Sequence, residues 1–330
     1  MPDFVILSNS PWNSKGRGGN SSQQYARAVM RRGWRVSYHD KDGLTMFTPL
    51  EELALGPQVV VMCDMPWVEH YYRIFQDLQR QGCKTVYRVV DHWGMTPRRE
   101  DYCEAREIAF ITAADAVFAS SPLNVERFRA IRPDITLLRN GADLETFWGW
   151  QGEPPADLRR GQPTLAFVTS LWEPDWVDWE ALFCATESRP ELALNLLADI
   201  GKLPPRKLPE NFNAIGIRPW SGLPAYLTHC DVGLIAYRPG LTRYNNPLKA
   251  LEYLACGLPV VSSPNPSIMD HPYLCFYNNT EEFMRAIDQA AAMPVNREYL
   301  YAYLQQHTWD RRLEEILGKL AGSSISPETA

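Results

Sequence analysis

At 330 residues the chain is long for one domain, and its length suits two domains of about 150 residues each. Hydrophobic residues make up 45% and charged residues 22%, with a formal net charge of −6. That balance suits an ordinary globular protein and announces no basic face for nucleic acid, so no nucleic-acid partner is expected.

Residues 4–8, FVILS, read as a buried strand, with no charged and apolar leader of the signal-peptide type before it. A long loop, NSPWNSKGRGG, leads to a helix over 20–32 that Gly33 closes. Strands follow at WRVSYH, QVVVMC (58–63) and KTVYRVV (84–90), with an amphipathic helix over 67–81 between the last two. Helices near 98–113 and 123–131 and strands DAVFAS (115–120) and ITLL complete the first half. Strands alternating with helices at these lengths imply a parallel sheet covered on both faces. The stretch 148–163 then carries three prolines and three glycines without hydrophobic period. It reads as a linker. Beyond it the alternation restarts with TLAFVTS, a helix near 177–186, LALNLLA, NFNAIG and DVGLIAY, and helices end the chain near 281–292, 297–305 and 309–320. The predicted organisation is an N-terminal Rossmann-like domain over 1–148, a linker over 149–163 and a C-terminal Rossmann-like domain over 164–305. A C-terminal helix over 306–321 is able to pack back on the N-terminal domain, and 322–330 form a disordered tail.

The seven cysteines are scattered and odd in number, and no two stand at C-x-x-C spacing. No zinc site or redox pair is therefore expected, and the pattern suits a reducing cytoplasm. No apolar run reaches the roughly 18 residues that a membrane span needs. The densest basic cluster, Arg31 to Arg35 (RRGWR), offers at most a peripheral contact with an anionic membrane surface.

One stretch organises the second half: YNNPLKALEYLACGLPVVSS, residues 244–263. Asn246 is the expected N-cap and Pro247 the first helical residue, while Gly257 ends the helix ahead of a short strand. Lys249 and Glu252, three apart, share one face of the first turns. A cation at the positive end of a helix is misplaced unless an anion docks there too. Glu252, one turn deeper, is set to accept bonds from vicinal hydroxyls. A phosphate beside a diol describes a nucleotide with its ribose; the plainer reading is a solvated Lys/Glu pair.

PLKALEYLACGLPVV resembles the donor-binding motif of GT-B glycosyltransferases, and Gly216 to Arg238 resembles their preceding strand, short helix and buried strand. The likeness is nearest to bacterial cell-surface polysaccharide transferases of the teichuronic-acid type. It implies a GT-B fold, two Rossmann-like domains facing across a cleft, and transfer of a sugar from a nucleotide-diphosphate-sugar to a sugar or lipid-linked hydroxyl acceptor. The N-terminal domain would then be the acceptor side. The nucleotide-sugar is a substrate, so no cofactor is expected, and no metal, because Lys249, helix N–H groups and Arg218 or Arg243 can neutralise the leaving diphosphate. By the same resemblance Thr169 and Ser170 face the diphosphate, Arg218, Pro219 and Trp220 border the nucleobase, and Tyr244 and Asn246 flank the donor. Tyr244 stands where many retaining members have a glutamate that holds the sugar, which leaves the stereochemical outcome open.

Two further places carry chemistry. The loop with Gly16, Gly18, Gly19 and Asn20 lets backbone approach a ligand at the cleft. With Asp40 after the second strand it also leaves open a dinucleotide-dependent oxidoreductase, although Ser21 stands where the third fingerprint glycine belongs. Asp91 ends a strand and precedes His92, and either could take the proton of an acceptor hydroxyl. Asp91 could equally cap the turn that follows it. Tyr244 and His92, each replacing an acid of the resembling enzymes, also leave room for an inactive nucleotide-sugar-binding partner protein. NGAD, Asn140 to Asp143, resembles a turn near the GT-B domain boundary.

Overall fold

The computed structural model of the chain describes residues 2–8, 10–12, 19–41, 45–95, 102–171 and 174–322. Gly16, Gly18 and the tail beyond Gly322 lie outside the described residues. The first half runs β1 (Asp3–Leu7), α1 (Ser21–Arg31), β2 (Val36–His39), β3 (Thr45–Phe47), β4 (Val59–Cys63), α2 (Glu69–Arg80), β5 (Lys84–Val89), α3 (Glu104–Ala113), β6 (Ala116–Ala119), α4 (Pro122–Phe128), β7 (Thr136–Leu137) and α5 (Leu144–Phe147). The second runs β8 (Thr164–Val168), α6 (Trp179–Ser188), β9 (Ala193–Leu197), β10 (Phe212–Ala214), α7 (Leu223–Leu227), β11 (Val232–Ile235), α8 (Leu248–Ala255), β12 (Val260–Ser262), β13 (Leu274–Phe276), α9 (Thr280–Ala291), α10 (Arg297–Gln305) and α11 (Trp309–Gly322).

Each half builds its own sheet. The first has the order β3-β2-β1-β4-β5-β6-β7, parallel except for β3, which pairs antiparallel with β2. The second is parallel in the order β10-β9-β8-β11-β12-β13. In both, the chain winds outward one way, returns, and continues the other way. That reversal opens a crevice beyond the strand ends, between β1 and β4 and between β8 and β11.

Apolar side chains cover both faces of each sheet. Tyr71, Phe75 and Phe110 pack on one face of the first, and Tyr25, Trp309 and Leu313 on the other. Trp309 belongs to α11, so the C-terminal helix crosses back and lies beside α1. Its indole meets Tyr25 edge-on with ring centroids 5.0 Å apart. Arg31 of α1 and Arg32, its C-cap, pair with Asp310 at the start of α11, and Arg32 also reaches Glu314. With Arg35 on Asp3, the basic cluster is spent on internal ion pairs.

The NGAD turn sits where α11 crosses. Ala142 N donates to His307 O, and a Cβ on Gly141 would lie 2.5 Å from the backbone nitrogen of Trp309. Glycine is needed there because helix backbone fills the space. The linker is no loose tether, since Arg159 exchanges bonds with Asn195 of β9 and Leu158 is buried. Among the described residues no helix is long and apolar enough to cross a membrane.

Candidate functional site

The loops after β8 and β11 and the start of α8 converge at the second crevice. Lys249 Nζ donates to the Tyr237 hydroxyl at 2.6 Å, and it also lies over the rings of Tyr237 and Phe167 at 4.7 and 5.4 Å. An ammonium only donates, so the Tyr237 oxygen accepts and its proton is available to Thr169 Oγ1, 3.1 Å away. Thr169 in turn receives Leu171 N. A hydroxyl and two aromatic faces hold the lysine without neutralising its charge, at the end of α8 that favours anions. Ser170 is exposed beside them. Leu171 is buried with φ of +46°, strain held at the loop that borders this crevice.

Glu252 lies one turn further along α8. Its Oε1 accepts from Trp220 Nε1 at 2.8 Å, and burial pushes the carboxyl up to about 7 against the opposing pull of that bond and of Lys249. The spacing thus brings the two charges together, with Tyr237 and Trp220 as partners that the spacing does not reveal. Tyr237 ends a predicted strand at its carboxyl end, where a ligand-facing side chain is to be expected. That position was the available signal.

Other expected residues are placed differently. Asn246 does not cap α8: Pro247 holds the cap position, with no side-chain bond. The Asn246 side chain instead accepts from Asn140 N at 2.6 Å, Asn140 Nδ2 returns a bond to Asn246 O at 2.6 Å, and Asn246 Nδ2 reaches Ser267 O. It joins the two domains, because the buried N–H of Asn140 across the junction is a stronger claim on the amide than a helix start open to the cleft. The Arg218 guanidinium donates to Asp157 of the linker and to the Tyr226 hydroxyl at 2.5 and 2.8 Å. Pro219 is exposed and starts the turn that carries Trp220.

On the N-terminal side Asn20 caps α1 in a reciprocal pair with Gln23. Gly19 lies directly under Trp220, where an added Cβ would come within 2.2 Å of the indole. Asp91 accepts from the backbone N–H of the next residue, His92, at 2.8 Å. Burial and the nearby Arg127 hold the His92 imidazole below its usual pKa, so it is neutral near pH 7. His92 and Tyr244 meet edge to face across the cleft, ring centroids 4.8 Å apart, and Asn124 Nδ2 donates to Tyr244 O. The two departures from the acidic pattern therefore form one contact. A surface recess of about 570 Å³ lined by Asp178, Arg238 and Asn279 includes none of these residues. Among the described residues no cluster of His, Cys, Asp or Glu could hold a metal ion.

Two Rossmann-like domains with a crossing C-terminal helix make this the GT-B fold of nucleotide-sugar transferases. The fold matches sucrose-phosphate synthase from Thermosynechococcus elongatus with a TM-score of 0.68 at 17% identity, over 98% of this chain and all of that one. It also matches HepE of Anabaena, solved with UDP and glucose, with a TM-score of 0.63 at 14% identity over 97% of this chain and all of that one. Residues 180–318 match the family model described as Glycosyl transferase-like. In sequence the chain is similar to the putative teichuronic acid biosynthesis glycosyltransferase TuaH of Bacillus subtilis (strain 168). The two are 26% identical over 223 residues, 59% of this chain and 54% of TuaH, so the chain spans about half the length of that relative.

Proposed function

We propose that the protein is a glycosyltransferase that moves a sugar from a nucleotide-diphosphate donor to a sugar or lipid-linked hydroxyl, in the assembly of a surface polysaccharide. The observation that carries this reading is the Lys249–Glu252 pair at the crevice: a cation held by neutral partners for the diphosphate, and a carboxylate one turn deeper for the ribose diol. The leaving diphosphate is neutralised by Lys249 and the start of α8, with Arg218 or Arg243 beside them, a metal-independent arrangement. Either Asp91 or His92, on the facing domain, takes the acceptor proton. TuaH is named for teichuronic acid synthesis and HepE is described with UDP and UDP-glucose, which supports a polysaccharide role and puts UDP first among donors.

A thermal-shift panel of UDP, GDP, dTDP and NAD(H), followed by an assay of nucleotide released from the matching sugar donors, tests this. Stabilisation by a nucleoside diphosphate with turnover supports it; a shift with NAD(H) alone would move the protein to the oxidoreductases. Binding without turnover would favour an inactive sugar-nucleotide binder, a second reading that the His92–Tyr244 contact keeps in view.

A further inference from the structure

Trp220 sits between the domains, and its surroundings give it a task beyond packing. One face of the indole lies under the Arg27 guanidinium of α1, 4.6 Å from the ring centroid. Gly19 presses on its pyrrole side, and Phe147 meets it edge-on at 5.3 Å. Arg27 also stacks on Trp12, 5.0 Å away, so it is itself held between two indoles. The only polar atom of the indole points at Glu252. Thus residues of the N-terminal domain fix a ring of the C-terminal domain, and the ring fixes a carboxylate.

We propose that Trp220 is a positioning residue whose indole N–H, held in place by Gly19 and Arg27 of the opposite domain, orients the Glu252 carboxylate to receive the ribose hydroxyls of the donor. The inference rests on the donor-site reading above and deepens it. An ionised carboxylate has about four acceptor positions, of which the indole takes one, and the rest are left for a diol. Arginine on an indole face and a glycine that admits no side chain both restrict the ring to this orientation. The domain junction thereby reaches the nucleoside end of the site, while Lys249, held by Tyr237, serves the phosphates.

That separation makes the role testable. The groups acting on Glu252 are the Trp220 N–H and Lys249, which favour its ionised form, and Asp143, which opposes it. Removing the N–H therefore raises the pH at which the carboxylate becomes available. Calorimetric titrations of UDP, GDP and inorganic pyrophosphate would be run at several pH values on wild type, Trp220→Phe and Gly19→Ala. The alanine methyl would fall 2.2 Å from Trp220 Cδ1 and 2.5 Å from Nε1, so it displaces the indole and its N–H while leaving both hydrogen-bonding groups chemically present. Both variants are expected to bind UDP or GDP about tenfold more weakly, the value of one hydrogen bond to a charged group. The acid limb of binding should also move to higher pH, with pyrophosphate affinity unchanged. If Trp220→Phe does not fold, Gly19→Ala decides alone. Variants that keep the wild-type nucleotide affinity and pH midpoint would overturn the proposal, as would equal losses for nucleotide and pyrophosphate. If wild type itself binds no nucleoside diphosphate among UDP, GDP and dTDP, the donor-site reading has failed, and the positioning role falls with it.

Discussion

Asn246→Asp separates two accounts of the residue before α8. As an N-cap, Asp serves as well as Asn, and alanine costs about 1 kcal/mol. As the bridge seen here, Asn246 works with both ends of its amide: Oδ1 accepts from Asn140 N at 2.6 Å and Nδ2 donates to Ser267 O at 3.3 Å, in a place where both asparagines are only 7% exposed. Alanine leaves the Asn140 N–H without a partner at a buried site, about 1–3 kcal/mol, and removes a second bond of about 1 kcal/mol. The expected loss is therefore about 2–4 kcal/mol. Aspartate keeps the acceptor but turns a carboxylate oxygen against the Ser267 carbonyl and buries a charge, so at pH 7 it should be at least as damaging as alanine. At pH 4 to 5 protonation restores a donor, and part of the loss should return. Urea unfolding of the three proteins at both pH values measures this. An Asp variant as stable as wild type at pH 7, with alanine down by only 1 kcal/mol, would refute the bridging account.

Glu252→Gln should have opposite effects on stability and binding. The folded carboxyl titrates near 7, above its usual range because of burial, so the stability it contributes is full below the unfolded pKa and is lost as pH rises through 7. Melting temperatures followed from pH 4 to 8 should therefore fall less in the Gln variant than in wild type, while its nucleoside affinity is weaker at pH 8. Asp91→Asn should lower turnover about a hundredfold, with nucleotide affinity retained in calorimetry; unchanged turnover would give the proton to His92. Gly141→Ala puts a methyl group against the Trp309 backbone and should cost about 1–3 kcal/mol in thermal unfolding, by prising α11 from the turn.

Much of the architecture was legible because each buried strand is a short apolar run between turn residues, and the linker is marked by proline and glycine. What escaped had no local signal. β3 is a three-residue edge strand with exposed ends, and β13 is as short and hidden among turn residues. The cap at Asn246 was misread because its partner lies 106 residues away, and local rules rank only local partners. Arg218 likewise meets Asp157, across 61 residues. In the site, helix spacing was enough to put Lys249 and Glu252 on one face. The Tyr237 hydroxyl and the Trp220 indole come to them from other strands and turns, which periodicity does not encode. The His92–Tyr244 contact joins two residues that the sequence offered only as separate oddities.

The central claim is that Lys249 awaits a diphosphate. Its charge is held by the Tyr237 hydroxyl and two rings, so Lys249→Met, which keeps the stem against those rings, should fold and melt close to wild type. Calorimetric titration of UDP and GDP into the two proteins is the direct test. A charge-assisted bond of roughly 1.5–3 kcal/mol predicts binding about ten- to a hundredfold weaker in the variant, with pyrophosphate weakened as much as the nucleotide. A nucleotide that binds both proteins equally would contradict the assignment.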